Sequence, residues 1–329
     1  MRAVVITRPG GPEVLEIQER EVPEPGPGQI RVRVRTTALN RADLLQRRGG
    51  YAAPANFPPD IPGLEYAGVV DALGSGAGLW AVGSRVMGIV GGGGHAEYVC
   101  VHEREAMRIP HNLSWEEAGA IPEAFLTAYD ALFRQLEVQM GDRLLIHAVG
   151  SGVGTAAVQL ARAASVRTIG TSRTASKLQR VLELGLDVGI DSSQQDWREQ
   201  VKVATEGEGV NAVLDLVGGR FIQDDLRVLA PRGKAIVVGL VGGASAELDL
   251  GLLLRRRLTL MGTVLRTRPV EEKIALAREF SDSVLPLFAS GRIKPVVDRV
   301  YPIEEIRQAH AVMEANQTFG KIVLRWEEE

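Results

Sequence analysis

The stretch Leu144–Leu160, LLIHAVGSGVGTAAVQL, decides how this chain folds. A hydrophobic run from Arg143 to Ala148 reads as a buried strand. It enters a glycine-rich turn that opens a helix of small residues, Gly154 to Ala164. In such a turn glycine lets backbone N–H groups approach a pyrophosphate, and the helix N-terminus favours its negative charge. Gly154 would let the helix pack close against the sheet. Read as G-x-G-x-x-G ending at Gly154, the first two glycine positions carry Val149 and Ser151. The competing reading is a tight strand-to-helix turn with no ligand. The order of strand, turn, helix and second strand favours a dinucleotide site.

Outward from this motif the same alternation continues. Arg167–Thr171 reads as a second strand and Ala175–Leu184 as a second helix ending at Gly185. Further strand cores are Val188–Ile190, Ala212–Leu216, Ala235–Leu240 and Leu258–Thr263. Strands spaced by helices argue an α/β fold with a parallel, doubly wound sheet.

The second strand selects the dinucleotide. An NAD site usually ends it with an acidic residue that binds the ribose hydroxyls and repels a 2′-phosphate. Here Ser172 occupies that position, Arg173 follows it, and Lys177 lies one helical turn further on. A hydroxyl with two cations suits a phosphate, so NADP(H) is the expected cofactor. Solvated basic side chains at an exposed helix start are the alternative.

Residues before about Thr127 have another texture. Ile30–Arg35 alternates apolar residues with arginine, a period-two strand with its arginines on one face. Proline and glycine make loops of Val22–Gln29 and Tyr51–Pro62, and Gly68–Val86 reads as strand, glycine turn, strand. This part is an irregular, mostly β domain, and Gly91–Gly94 is expected to be a flexible turn before a strand at Ala96. After Arg266 come a helix, the strand Pro295–Tyr301, another helix and the strand Gly320–Trp326.

Composition narrows the function. In 329 residues, 38 Lys+Arg stand against 41 Asp+Glu, a net charge of -3 that gives no reason to bind nucleic acid or an anionic membrane. The single cysteine, Cys100, excludes an internal disulfide and a thiolate zinc cluster. The N-terminus is charged and broken by proline, unlike a signal peptide, so a cytoplasmic location is expected. His95, His102, His111, His147 and His310 form no H-E-x-x-H pair and none lies beside a cysteine at ligand spacing. No metal is expected. Arg255–Arg257 reads as a solvated face, and Ser151 lies in no G-x-S-x-G elbow, which argues against a serine hydrolase.

Several segments together carry a resemblance over the whole chain. They are GGPEVL from Gly10, ALNRAD from Ala38, PGLE from Pro62, IPEAFLTA from Ile121, His147–Gln159, and NQTFGKIVL from Asn316. With these the chain resembles the zinc-free quinone oxidoreductases, zeta-crystallin-like, of the medium-chain dehydrogenase/reductase superfamily. The resemblance implies a GroES-like, mostly β catalytic domain from residues 1–124 and 266–329, around a Rossmann dinucleotide-binding domain of residues 125–265. Zinc enzymes of the superfamily carry cysteine where Asn40 stands and G-H-E where Gly63-Leu64-Glu65 stands, so two metal-ligand positions are lost here.

Position by position, the resemblance implies nicotinamide-side contacts at Asn40 and Thr127, and pyrophosphate contacts at Ser151, Gly152 and Val153. It implies a 2′-phosphate pocket at Ser172 with Lys177, which Arg173 adjoins, and nicotinamide-lining backbone at Leu240 and Leu265. Asn316 and Lys321 are implied C-terminal contributors, and Tyr51 a cleft tyrosine able to hydrogen-bond an acceptor oxygen. Tyr51 and Asn40 are the implied acceptor-site pair. Ser192 replaces a tyrosine often placed over the adenine, and Asp191 beside it would oppose a phosphate. The implied assembly is a homodimer joined at nucleotide-domain sheet edges.

Without a metal to polarise a carbonyl, the hydride acceptor must be electrophilic by itself. An NADPH-dependent quinone reductase is therefore the expected function. An NADPH-dependent enone or enoyl-thioester reductase is the alternative, and an NADP(H)-binding redox sensor without turnover is the alternative of another class.

Overall fold

The computed structural model describes residues 1–194 and 196–327. The chain divides into two compact units, one of Met1–Leu126 with Leu265–Glu329 and one of Thr127–Val264. The first cut falls two residues after the sequence-based boundary at 124, and the second falls one residue before 266.

The first unit opens with a two-stranded antiparallel ribbon, β1 (Arg2–Ile6) and β2 (Leu15–Glu19). Strand β3 (Gln29–Ala38) buries Ile30, Val32 and Val34 on one face. On the other face Arg31 pairs with Asp71 at 3.0 Å, so the alternating arginines mark the polar side. Helix α1 (Arg41–Arg47) follows at once, its start fixed by Asp43, whose carboxylate accepts from the Asn40 N–H at 2.8 Å. Strands β4 (Glu65–Leu73), β5 (Arg85–Ile89), β6 (Tyr98–His102) and β7 (Met107–Arg108) complete the N-terminal portion. Helices α2 (Trp115–Gly119) and α3 (Pro122–Tyr129) close it, and the division between units falls inside α3.

The Gly91–Gly94 segment corrects an expectation. It is buried, not a flexible surface turn. A Cβ on Gly91 would lie 2.5 Å from the Phe57 ring, and one on Gly94 2.6 Å from the Glu65 carbonyl oxygen. Gly91 and Gly94 are there for close packing, and Gly93 adopts a φ of +86°. Ala96 makes a single bridge to Ala3, and the strand proper starts at Tyr98.

The second unit is built on β8 (Arg143–Ile146), α4 (Gly152–Ala163), β9 (Arg167–Ser172), α5 (Ala175–Glu183) and β10 (Val188–Asp191). Then come α6 (Trp197–Ala204), β11 (Val210–Asp215), α7 (Phe221–Val228), β12 (Leu229–Val237), α8 (Leu250–Arg256) and β13 (Thr259–Gly262). All six strands pair in parallel in the order β10-β9-β8-β11-β12-β13. That is the 3-2-1-4-5-6 order of a Rossmann sheet, whose strand order reverses between β8 and β11. Leu145, Ile169, Ile190, Val213 and Ala235 fill its core because a parallel sheet is covered on both faces.

Strand β12 ends three residues earlier than its hydrophobic run suggests. The Asp215 carbonyl takes the Val238 N–H at 2.8 Å, and Gly239 passes so close to Leu216 that a Cβ would sit 2.5 Å from its oxygen. Leu240 is thereby turned out of the sheet and is 55% exposed.

The chain then returns to the first unit through α9 (Val270–Ser283), α10 (Leu285–Ala289), β14 (Val297–Pro302), α11 (Ile306–Glu314) and β15 (Lys321–Arg325). Strand β15 pairs antiparallel with β3, giving the order β14-β15-β3-β4-β5-β7, with β6 paired to β3. Among the described residues no helix is long and apolar enough to cross a membrane.

Candidate active site

Strand β15 lies beside β3, which brings Lys321 next to Asn40, just beyond the end of β3. The Lys321 ammonium, 5% exposed, donates to the Leu39 carbonyl at 3.0 Å, to Asn40 Oδ1 at 2.7 Å and to Glu65 Oε1 at 2.7 Å. An ammonium has three protons, so all are committed. Lys321 is thereby tied to Asn40 and Glu65. Asn40 Nδ2 donates to Glu65 Oε1 at 2.8 Å and closes the network. The second Glu65 oxygen accepts the Glu123 N–H at 2.8 Å, at the start of α3.

Gly63 shapes the adjoining turn. Its φ is +99°, its N–H donates to Asp43 Oδ1 at 3.1 Å, and a Cβ would meet the His95 nitrogen at 2.4 Å. His95 is fully buried there, and burial lowers its pKa, so the imidazole is neutral.

Tyr51 is half-buried beneath Arg266, whose guanidinium lies 4.7 Å from the ring centroid and donates to the Tyr51 carbonyl at 3.1 Å. Arg266 also donates to the Gly91 carbonyl at 2.6 Å and to Gln46 Oε1 at 2.6 Å. Burial raises the phenol's pKa, the charge of Glu123 adds to this, and Arg266 opposes it. The Glu123 carboxyl is pushed up to about 8, first by burial and then by the charge of Glu65. Leu265, 4% exposed, precedes Arg266 in the same unit. Asn316, at φ +56°, is exposed and accepts a hydrogen bond from Arg41.

In the second unit Ser151 caps α4, its hydroxyl accepting from the Gly154 N–H at 3.1 Å. The N–H groups of Gly152 and Val153, in the first turn, point out of the helix start. A Cβ at Gly154 would lie 2.6 Å from the Val149 carbonyl, so the turn holds only with glycine there. This turn follows β8 at the strand-order reversal, the place where open α/β sheets take their ligands. Ser172 ends β9 and is buried, Arg173 is exposed and Lys177 is half-buried. Asp191 is the register partner of Ser172 across β9 and β10. Its carboxylate, held by Ser193 at 2.8 Å, is kept below its usual pKa by that contact. Thr127 lies in α3 and is 8% exposed.

Sequence reasoning overlooked the roles of Glu65, Glu123 and Arg266. The first two stood within recognised motifs, PGLE and IPEA, but nothing in the chain order joins them. Arg266 carried no signal.

A zinc-binding dehydrogenase model matches residues 152–282 and an alcohol dehydrogenase GroES-like domain model matches residues 26–111. The human synaptic vesicle membrane protein VAT-1 homolog is 32% identical over 98% of this chain and 86% of its own length. The structure of Escherichia coli quinone oxidoreductase complexed with NADPH matches with TM-score 0.90 and 30% identity, covering 99% of this chain and 100% of that one. An NAD-dependent alcohol dehydrogenase matches with TM-score 0.86 and 34% identity over 99% of both chains. The CurK enoyl reductase matches with TM-score 0.88 and 27% identity, also over 99% of both. This chain belongs to the medium-chain dehydrogenase/reductase superfamily, in its zeta-crystallin-like quinone oxidoreductase branch. It is an oxidoreductase by family.

Proposed function

We propose that this protein is a zinc-independent quinone reductase that draws its hydride from NADPH. The observation that carries the reading is the closed network of Asn40, Glu65 and Lys321. Zinc takes cysteine, histidine or carboxylate ligands. At the two positions discussed above stand an amide and Leu64, and the neighbouring carboxylate is neutralised by lysine. That donor set does not fit zinc, and no cluster of three or more His, Cys, Asp or Glu among the described residues could hold a metal ion. An acceptor reduced here supplies its own electrophilicity, which favours quinones, then enones and enoyl thioesters.

The second unit fits a dinucleotide. The cradle at Gly154 and the first-turn N–H groups of Gly152 and Val153 suit a pyrophosphate. Ser172, Arg173 and Lys177 suit a 2′-phosphate, with Asp191 opposing it, so NADPH is preferred over NADH. The cofactor supplies a hydride when bound. In this reading Thr127, Leu240, Leu265 and Asn316 are each a cofactor contact. Asn40, its amide held by Lys321 and Glu65, borders the acceptor in this reading, and Tyr51 orients the acceptor oxygen. The NADPH complex of the E. coli enzyme supports the reading, and the enoyl reductase neighbour supports the alternative. A cytoplasmic place of action completes it.

Steady-state NADPH oxidation with 9,10-phenanthrenequinone, 1,4-benzoquinone and crotonyl-CoA tests the assignment. Turnover of the quinones alone is expected and must survive dialysis against a strong chelator. Turnover of crotonyl-CoA alone would move the protein to the enoyl reductases, and loss on chelation would restore a metal.

A further inference from the structure

The first unit holds a carboxyl group that the proposed function has not used. Glu123 sits at the start of α3, its backbone tied to Glu65 and its side chain half-buried. Glu123 lines a small cavity of about 10 Å³ together with Leu64, Val90, Gly91, Arg266 and Lys273. That is room for about one water molecule. Ile89, Val90, Arg266 and Lys273 also line a separate pocket of about 800 Å³ in the same unit, so the small cavity backs onto a large one. The charge of Glu123 also acts on the Tyr51 phenol. Glu123 thus adjoins a water-sized space that it shares with Arg266, and Arg266 in turn holds Tyr51.

We infer that Glu123 is a catalytic acid, donating the proton that completes reduction of the acceptor. The inference rests on the reductase reading. The reduced nicotinamide supplies the hydride, and both its electrons enter the new bond on the acceptor. The Glu123 O–H bond breaks, its proton passes to the acceptor oxygen, and the bonding pair stays on the carboxylate. Water in the small cavity then returns a proton. The groups facing Glu123 balance in favour of the neutral acid. Glu65 and Asp43 disfavour its ionisation, while Lys321 and Arg266 favour it less strongly than burial opposes it. The nearby Lys273 is occupied by Glu105 at 2.7 Å, and Tyr51 is neutral. A reduced quinone is a phenol, with a tyrosine-like pKa of about 10. A carboxyl at about 8 gives up its proton to such an oxygen downhill and still carries it at neutral pH.

The test has two arms. In the cofactor-free protein, carboxyl ¹³C NMR of labelled glutamate should show one resonance titrating near pH 8 that is absent from Glu123→Gln. A midpoint in the ordinary carboxylate range overturns the proposal. With NADPH and whichever acceptor the wild type reduces, Glu123→Gln should lower kcat roughly a hundredfold, leave NADPH affinity unchanged and abolish the fall of kcat above pH 8. Glu123→Asp should retain that fall at a reduced kcat. Wild-type kcat and pH profile in Glu123→Gln overturn the proposal. A wild type that turns over no acceptor overturns the reductase reading instead, and the NMR arm still reports on the acid.

Discussion

Lys321 and Glu65 form an ion pair with both partners withdrawn from solvent, 5% and 0% exposed. Removing one member of such a pair leaves a buried charge unbalanced. Lys321→Met should therefore lower unfolding free energy in urea by roughly 3–5 kcal/mol, and adding Glu65→Gln should recover part of that loss. Equal stability of Lys321→Met and wild type would mean that the pair does not hold the site together. Tyr51 behaves differently. Its phenol is pushed up by burial and by Glu123, which makes it a poor acid at neutral pH. Tyr51→Phe should keep quinone turnover within roughly tenfold, about 1.4 kcal/mol of barrier. A thousandfold loss with intact NADPH binding would make Tyr51 the acid and displace Glu123. Asn40 and Tyr51 were readable as candidates in the sequence because they lie in recognisable motifs. The lysine tied to Asn40 was readable only as a residue type, since its three acceptors come from β4 and the segment after β3.

In the proposed function, cofactor choice is set at the level of elements, by how β9 and β10 end. Register places Asp191 beside Ser172, and the Ser193 contact keeps the carboxylate ionised. Asp191→Asn should tighten NADPH severalfold and leave NADH nearly unchanged, measured by fluorescence titration at low salt. Lys177→Ala should act in the opposite sense, weakening NADPH selectively, since a charged hydrogen bond to phosphate contributes ~1.5–3 kcal/mol. Equal shifts for both cofactors in either variant would remove these residues from the 2′-phosphate pocket. The sequence announced β8, α4 and β9 clearly, because hydrophobic runs, small helix residues and a glycine turn follow in order. It misjudged the end of β12, where the run Ala235–Leu240 stays apolar while the backbone is captured by Asp215. Hydrophobicity cannot distinguish a strand residue from one that leaves the sheet.

At the scale of the molecule, the six-stranded sheet ends on β13, whose residues are half-buried or exposed. The preceding α8 buries none of its residues, and Leu250 and Leu254 are 68% and 74% exposed on successive turns. An open parallel edge beside exposed leucines favours association, and we propose a second copy of this chain as its partner. Leu254→Glu should shift sedimentation from dimer to monomer while leaving the circular dichroism spectrum unchanged. A wild-type monomer at micromolar concentration would refute the assembly.

The sequence by itself determined the order of the elements, the division into a mostly β part and an α/β part, and the dinucleotide turn. Each of these is a local property: periodicity, turn chemistry and the absence of a side chain at Gly154 act within a few residues. Only the tertiary structure decided what surrounds Asn40 and Tyr51. Glu65, Glu123, Arg266 and Lys321 come from separated segments of one unit, and the protonation of Glu123 depends on its burial and on the other three. Burial pushes Glu123 up to about 8, whereas the same residue in an unfolded chain would be an ordinary carboxylate. Residue types are written in the chain. Their protonation states follow from desolvation and neighbouring charge, which exist only once the chain has folded.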